Sequence, residues 1–206
     1  MANVLFIKAN DRDQAISLRL YDAFLNAYRA GHPEDRIEEL DLFRANLPYY
    51  DGAMMAGLFK TARGMEATPE ERAAAEVANR YLEQFLAADK IVIAFPMWNF
   101  TVPAQLHTYI AYLCQAGKTF KYTAEGPVGL LGDKKVALLT ARGGVYTEGE
   151  AASREMALNY LKNVLGLMGV TSPETIVVEG HNQFPDRAEQ IVGEGVERTA
   201  ALAAGF

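Results

Sequence analysis

The 206-residue chain is poor in the side chains that usually carry catalysis. Its single cysteine, Cys114, excludes an intramolecular disulfide. That cysteine falls in a helical stretch, where the role of a small apolar residue is expected. A cysteine phosphatase would need its thiol in the first loop instead. The three histidines, His32, His107 and His181, are too scattered for a zinc site, and no metal is expected. No Gly-x-Ser-x-Gly elbow is present, which excludes the serine hydrolases built on it. Positive charge is also short: Lys and Arg total 20 against 26 Asp and Glu, a net charge of −6. A nucleic-acid partner calls for a basic face and is not expected. No stretch reaches the roughly 18 apolar residues of a membrane span. From Met1 to Asp11 the chain meets Lys8 after a short apolar run and lacks a signal-peptide layout, so a cytoplasmic location is expected.

What is present is ordinary globular material, 50% hydrophobic and 22% charged, and one domain over residues 1–206 is expected. Asn3–Lys8, Arg36–Leu42, Lys90–Phe95, Lys135–Thr140 and Thr175–Glu179 read as strands, several of them uninterrupted apolar runs. Between them, helical spacing marks Ser17–Ala30, Thr68 to about Asp89, Thr101 or Val102 to about Ala116, Ser153–Met168 and Asp186–Ala204. Ser17 is the expected cap of the first helix. Thr68-Pro69-Glu70-Glu71 carries a capping box with proline in the first turn. Gly117 is the expected stop of the third helix. The irregular stretch 43–67 has room for a short helix, and 118–133 for a hairpin or covering loop. Strand and helix alternate five times. The fold class is therefore α/β: a flavodoxin-like, doubly wound five-stranded parallel sheet, order 2-1-3-4-5, with helices on both faces.

In such a sheet ligands bind beyond the carboxyl ends of the strands, where the strand order reverses. Three loops meet there. The first, Ala9–Ser17, contains no glycine, which excludes the dinucleotide fingerprint and the Walker loop. It leads into a helix N-terminus that favours an anion, with Asn10 and Ser17 as added hydrogen-bonding groups and Arg12 to offset Asp11 and Asp13. The alternative is a solvated loop with Ser17 as an ordinary cap. The second, Pro96-Met97-Trp98-Asn99-Phe100, is apolar and aromatic with one amide, which suits a flat heteroaromatic ligand. The alternative is a lid on the end of the core. The third, Ala141-Arg142-Gly143-Gly144, has adjacent glycines that permit positive φ and close approach to a ligand, or else make a simple turn. The acidic residues from Glu148 to Glu155 read as a solvated helix start, and His107 as a packing or surface residue.

VLFIKAN near the start, FPMWNFTVPAQLHTYI (95–110), TFKYTAEGPVGLL (119–131) and ARGGVY (141–146) together resemble the FMN-dependent NADH azoreductases, also described as FMN-dependent NADH:quinone oxidoreductases. The resemblance covers essentially the whole length. It implies a homodimer with a non-covalent FMN in each subunit near the interface, and NADH as electron donor. It also implies a ping-pong cycle in which quinones or aromatic azo compounds accept the electrons. Carried over, Pro96, Met97, Trp98, Asn99 and Phe100 belong to the loop that contacts the flavin ring. Arg142, Gly143 and Gly144 line its edge with Ala141 before them, and Asn10 and Ser17 hold the ribityl-phosphate end. This chain departs from the pattern in three places: Ala15 and Ile16 stand where hydroxyls are frequent, Trp98 where other members have tyrosine, and Ala141 where serine is frequent.

If FMN is the cofactor, no protein nucleophile or metal is needed, because the cofactor carries the chemistry and the protein orients it. Phe120 and Tyr122 are candidates for covering the flavin face or stacking on the acceptor; packing at a dimer interface is the equal alternative. The competing function is a flavodoxin-like electron carrier with no substrate turnover of its own. A regulatory dimer that has lost its cofactor is the third.

Overall fold

The computed structural model describes all 206 residues. Seven strands are present: β1 (Asn3–Lys8), β2 (Arg36–Asp41), β3 (Lys90–Pro96), β4 (Phe120–Thr123), β5 (Gly126–Gly129), β6 (Lys135–Arg142) and β7 (Glu174–Glu179). Six α-helices connect or flank them: α1 (Ile16–Gly31), α2 (Gly52–Ala62), α3 (Pro69–Ala87), α4 (Ala104–Leu113), α5 (Ala157–Leu167) and α6 (Ala188–Gly205). The main sheet is parallel throughout, with order β2-β1-β3-β6-β7, which is the expected 2-1-3-4-5 arrangement once the small antiparallel β4–β5 hairpin is set aside.

Strand periodicity sorts the core into two layers. Leu5, Ile7, Ile91, Ile93, Phe95, Val136 and Leu138 face the layer formed with α2, α3, α4 and α5. Their neighbours Val4, Phe6, Val92, Ala94, Ala137 and Leu139 face α1 and α6. Alternate residues of one pleated strand point to opposite faces, so strands buried on both sides must be apolar at every position. Phe6 illustrates the packing: its ring meets Tyr21, Phe24 and Tyr28 edge-on at 5.9, 5.8 and 5.9 Å.

The expected capping box forms. Thr68 Oγ accepts from Glu71 N at 3.2 Å, and Glu71 Oε2 accepts from Thr68 N at 2.8 Å. Lys60 on α2 donates to the same carboxylate at 2.6 and 2.7 Å, tying α2 to α3. The two helices cross at Gly57, where a Cβ would stand 2.0 Å from the Glu71 carbonyl oxygen. No helix is long and apolar enough to cross a membrane.

Several boundaries differ from expectation. Helix α1 begins at Ile16 behind Ala15, so Ser17 is not its cap; the Ser17 hydroxyl instead accepts from Asn10 Nδ2 at 3.0 Å. Helix α4 stops at Leu113, ahead of Gly117, because Gln115 N and the Thr119 hydroxyl both turn back to the Leu113 carbonyl at 2.9 and 2.7 Å. Ala141 and Arg142 belong to β6, paired with Val178 and Glu179. The acidic run from Glu148 is a short 3-10 turn over Glu150–Arg154 rather than the start of α5, and it ends in a buried glutamate, Glu155.

Candidate functional site

The carboxyl ends of β1, β3, β6 and β7 open into two adjoining cavities. One, of about 330 Å³, is bounded by the first loop (Asn10, Arg12, Ser17), by Pro96, Met97 and Trp98, by Ala141, Arg142 and Gly143, and by His181 and Asn182. The other, of about 540 Å³, lies between Asn99 and Phe100 on one side and Gly143, Gly144 and Tyr146 on the other, with Asn182 and Gln183 behind. Met97, Gly143 and Asn182 line both. Every expected cofactor residue thus borders one continuous cleft. Phe120 and Tyr122 border neither cavity; Phe120 is buried, and Tyr122, edge-on to it at 5.4 Å, is 74% exposed.

At one end stands the N-terminus of α1. Ala15 offers no side-chain cap and no acidic residue sits in the first turn. First-turn amides have no intrahelical partners, so an uncapped end aims donors and positive dipole at whatever fills the cavity. Asn10 and Ser17, each 2% exposed, form a fixed pair beside it, and Asn10 Oδ1 accepts from Arg12 N at 3.1 Å.

The other wall is a strained turn. Trp98 and Thr101 exchange backbone hydrogen bonds of 2.8 and 3.0 Å, and between them Asn99 and Phe100 adopt φ of 48° and 71°. Two consecutive positive φ values define a type I′ turn. Asparagine tolerates that region, whereas phenylalanine there costs about 1–3 kcal/mol. The surroundings hold it: Phe100 O accepts from Met156 N at 2.9 Å, and the Phe100 ring meets Tyr146 at 6.2 Å. Trp98 is braced edge-on by Phe43 at 5.9 Å, which gives the irregular stretch after β2 a role beside the cleft.

The glycine pair works differently from expectation. Neither Gly143 nor Gly144 has positive φ. Gly143 is needed for close approach: a Cβ would lie 2.4 Å from Asn182 Nδ2. Its carbonyl accepts from Asn182 N and Gln183 N at 3.0 and 3.2 Å, and Val145 N donates to Gln183 Oε1 at 3.0 Å.

Arg142 lines the first cavity, yet its guanidinium is held from behind. Its side chain is 2% exposed; Nε donates to Glu179 Oε2 at 2.8 Å, and Nη1 lies 3.1 Å from Glu155 Oε1 without the alignment of a hydrogen bond. Glu179 also accepts from Tyr146 N at 2.8 Å and from the Thr147 hydroxyl. Burial pushes the Glu179 carboxyl up, but the hydrogen bonds from Thr147 and Tyr146 and the Arg142 charge outweigh it and hold the group below the ordinary range. Glu155 accepts from the amides of Ala157, Leu158 and Asn159 at 3.1, 2.8 and 3.0 Å, so it caps α5 while pairing with Arg142. Two buried polar atoms around this cavity have no hydrogen-bond partner: Arg142 Nη1 and His181 Nδ1. Buried donors and acceptors are usually completed by protein, water, an ion or a ligand, and these two lie where a ligand can reach them.

Sequence reasoning missed His181, Asn182, Gln183 and the two glutamates. A fourth loop at the same end of the sheet, polar and opening on Gly180 at φ 84°, was the available signal.

A profile of the flavodoxin-like fold family matches residues 2–202. The chain belongs to that family. It is 59% identical to the FMN-dependent NADH:quinone oxidoreductase of Brevibacillus brevis, with both chains covered completely. It is 57% identical, again over the full length of both, to FMN-dependent NADH:quinone oxidoreductase 1 of Listeria monocytogenes. Among solved structures, an azoreductase from Bacillus anthracis superposes with a TM-score of 0.98 at 57% identity, with both chains covered completely. An FMN-dependent NADH-azoreductase from the same species, solved in complex with FMN, matches with a TM-score of 0.87 at 28% identity, over 98% of this chain and 100% of that one.

Proposed function

We propose that this flavodoxin-like chain is an FMN-dependent oxidoreductase that draws electrons from NADH and delivers them to quinones and to the azo bond of aromatic azo compounds, by a ping-pong cycle. The observation that carries the reading is the continuous cleft at the strand-order reversal, with an uncapped helix N-terminus at one end and a strained apolar turn facing two glycines at the other. Full-length relatives at 57–59% identity are named FMN-dependent NADH:quinone oxidoreductases, and a solved structure at 57% identity is named an azoreductase.

The residues present fit FMN. When bound, FMN supplies two-electron hydride chemistry, and the protein supplies placement and electrostatics. The α1 amides with Asn10 and Ser17 would hold the phosphate end. Met97, Trp98 and Phe100 would offer apolar and π surface to the ring, and Asn99 with the backbone at Gly143 and Gly144 would meet its polar edge. Arg142 Nη1, ion-paired with Glu155 at 3.1 Å but not hydrogen-bonded to it, keeps N–H capacity that a ligand could use. The larger cavity, walled by Phe100 and Tyr146, is where donor and acceptor would alternate.

Two copies are proposed to associate through apolar side chains that one chain leaves in solvent, among them Met55, Phe59, Met65 and Tyr122. Tyr122 then meets the partner, the acceptor, or both. Sedimentation equilibrium giving twice the chain mass supports this arrangement; a monomer across the micromolar range refutes it.

The test of function is an absorbance spectrum of purified protein, then NADH titration with a benzoquinone and with an azo dye. A flavin spectrum, bleaching by NADH and sustained turnover without a partner protein are expected. A flavin that NADH reduces only through a second protein would mark an electron carrier. A colourless protein that cannot be reconstituted with FMN would overturn the reading.

A further inference from the structure

The loop that joins β7 to α6 enters none of the roles assigned above, yet it closes the back of both cavities. Asn182 is one of three residues lining both, and of those three (with Met97 and Gly143) it alone carries a hydrogen-bonding side chain. Its place there is fixed from two sides. Its backbone N–H donates to Gly143 O, and its side chain fills the space that any Cβ at position 143 would take. A glycine at 143 therefore makes room for an amide at the junction. The preceding residue, His181, lines the cavity that begins at the α1 N-terminus, and its Nδ1 is shielded from solvent without a protein partner. Burial pushes this imidazole below its ordinary pKa, and no acidic side chain borders the cavity to favour its protonation. The ring is thus neutral at pH 7, with one nitrogen that donates and one that accepts.

We propose that His181 and Asn182 make direct hydrogen bonds to bound FMN, so that the β7–α6 loop is a fourth wall of the cofactor site. This rests on the FMN reading of the cleft. The rule for such sheets places the ligand at the strand-order reversal, between the loops after β1 and β3, and by itself assigns nothing to the loop after the edge strand. Here the loop after the edge strand reaches inward, its 182–183 amides donating to the Gly143 carbonyl on the glycine turn.

The experiment is titration of apoprotein with FMN, read by quenching of flavin fluorescence, for the wild type, His181→Leu, Asn182→Ala and the exposed control Asp186→Ala. Each of the two loop variants is expected to raise Kd at least fivefold, with an apoprotein melting temperature unchanged from the wild type. Asp186→Ala is expected to bind as the wild type does. A second measurement follows the imidazole C–H proton resonances of the three histidines. One set, absent in His181→Leu, is expected to shift when FMN is added. Wild-type binding accompanied by both variants within twofold of it, and by an unmoved His181 resonance, would overturn this assignment alone. A wild type that does not bind FMN would overturn the cofactor reading beneath it.

Discussion

Glu179 is the side chain through which the glycine turn can be tested most directly. Its carboxylate accepts from Arg142 Nε and Tyr146 N, both at 2.8 Å, and from the Thr147 hydroxyl, so one group ties the end of β6 to both sides of the turn that follows. Glu179→Gln keeps the shape. Its oxygen can still accept from Arg142 and Tyr146 while its amide donates to Thr147. What is lost is the charge on two acceptor bonds, about 1 kcal/mol each, or about 2 kcal/mol in all. For a chain of this length that lowers Tm by about 4–8 °C. Glu179→Ala leaves Arg142, whose side chain is 2% exposed, paired only with Glu155. It costs about 3–5 kcal/mol, nearer the lower figure because the Glu179 side chain is 16% exposed and water can partly substitute. The pH dependence follows from the depressed carboxyl. A glutamate whose folded pKa lies below its ordinary value near 4.5 contributes stability above that pH and loses it as pH falls through the folded value. Thermal melts of the two variants and the wild type at pH 7 and pH 4, with FMN absent throughout, read both effects. The gap between wild type and Glu179→Gln should narrow at pH 4. A Glu179→Ala melt within about 2 °C of the wild type at pH 7 would refute the clamp.

Asn99 has two reasons to be asparagine, its φ of 48° and its expected hydrogen bond to the flavin edge, and a pair of substitutions separates them. Asn99→Gly accepts the backbone, so FMN affinity should still fall about three- to tenfold, the worth of one hydrogen bond; an unchanged Kd would mean that the turn alone needs this residue. Gly57→Ala drives a methyl against the backbone of α3 and should cost about 3 kcal/mol, the upper end of overpacking penalties, read as a loss of urea midpoint at constant slope; a wild-type midpoint would show that the crossing opens freely. Cys114 is half-buried, and burial pushes its thiol up, so alkylation should be slow at pH 7 and Cys114→Ser should keep NADH–quinone turnover; lost turnover in folded, FMN-loaded protein would reveal a thiol role.

Much of the fold was legible because buried parallel strands leave a strong mark. NVLFIK, KIVIAF and KVALLT are apolar at nearly every position, as strands covered on both faces must be, and each strand is found within two residues of its expected bounds. The capping box at Thr68 was legible for a similar reason: both partners lie within one turn, so sequence distance and spatial distance agree. Helix ends fared worse where a distant group decided them. Ser17 has the right chemistry for a cap, but Asn10 sits within reach of its hydroxyl, and the helix starts one residue earlier behind an alanine. Glu155 is indistinguishable in sequence from Glu148 and Glu150. The α5 amides it caps lie only two to four residues on, but only the fold brings Arg142 to it and buries it.

The same distinction changes what Arg142 does in the cleft. In sequence, an arginine beside two glycines at a strand end reads as a group for the edge of a ligand. In the fold its one positive charge faces two carboxylates, Glu155 at 3.1 Å and Glu179 at 2.8 Å. With one guanidinium set against two carboxylates, that cluster cannot be the source of attraction for a phosphate. The attraction has to come from the other end, where the α1 amides are uncapped and Arg12, exposed between Asp11 and Asp13, offsets them, with Asn10 and Ser17 supplying orientation rather than charge. Arg142 is then a brace for the glycine turn, with N–H capacity at Nη1 that no protein hydrogen bond uses. Separation of the two tasks lets an acidic chain keep an anion site: the uncapped α1 amides face the anion, while the arginine near the ring is tied to two glutamates.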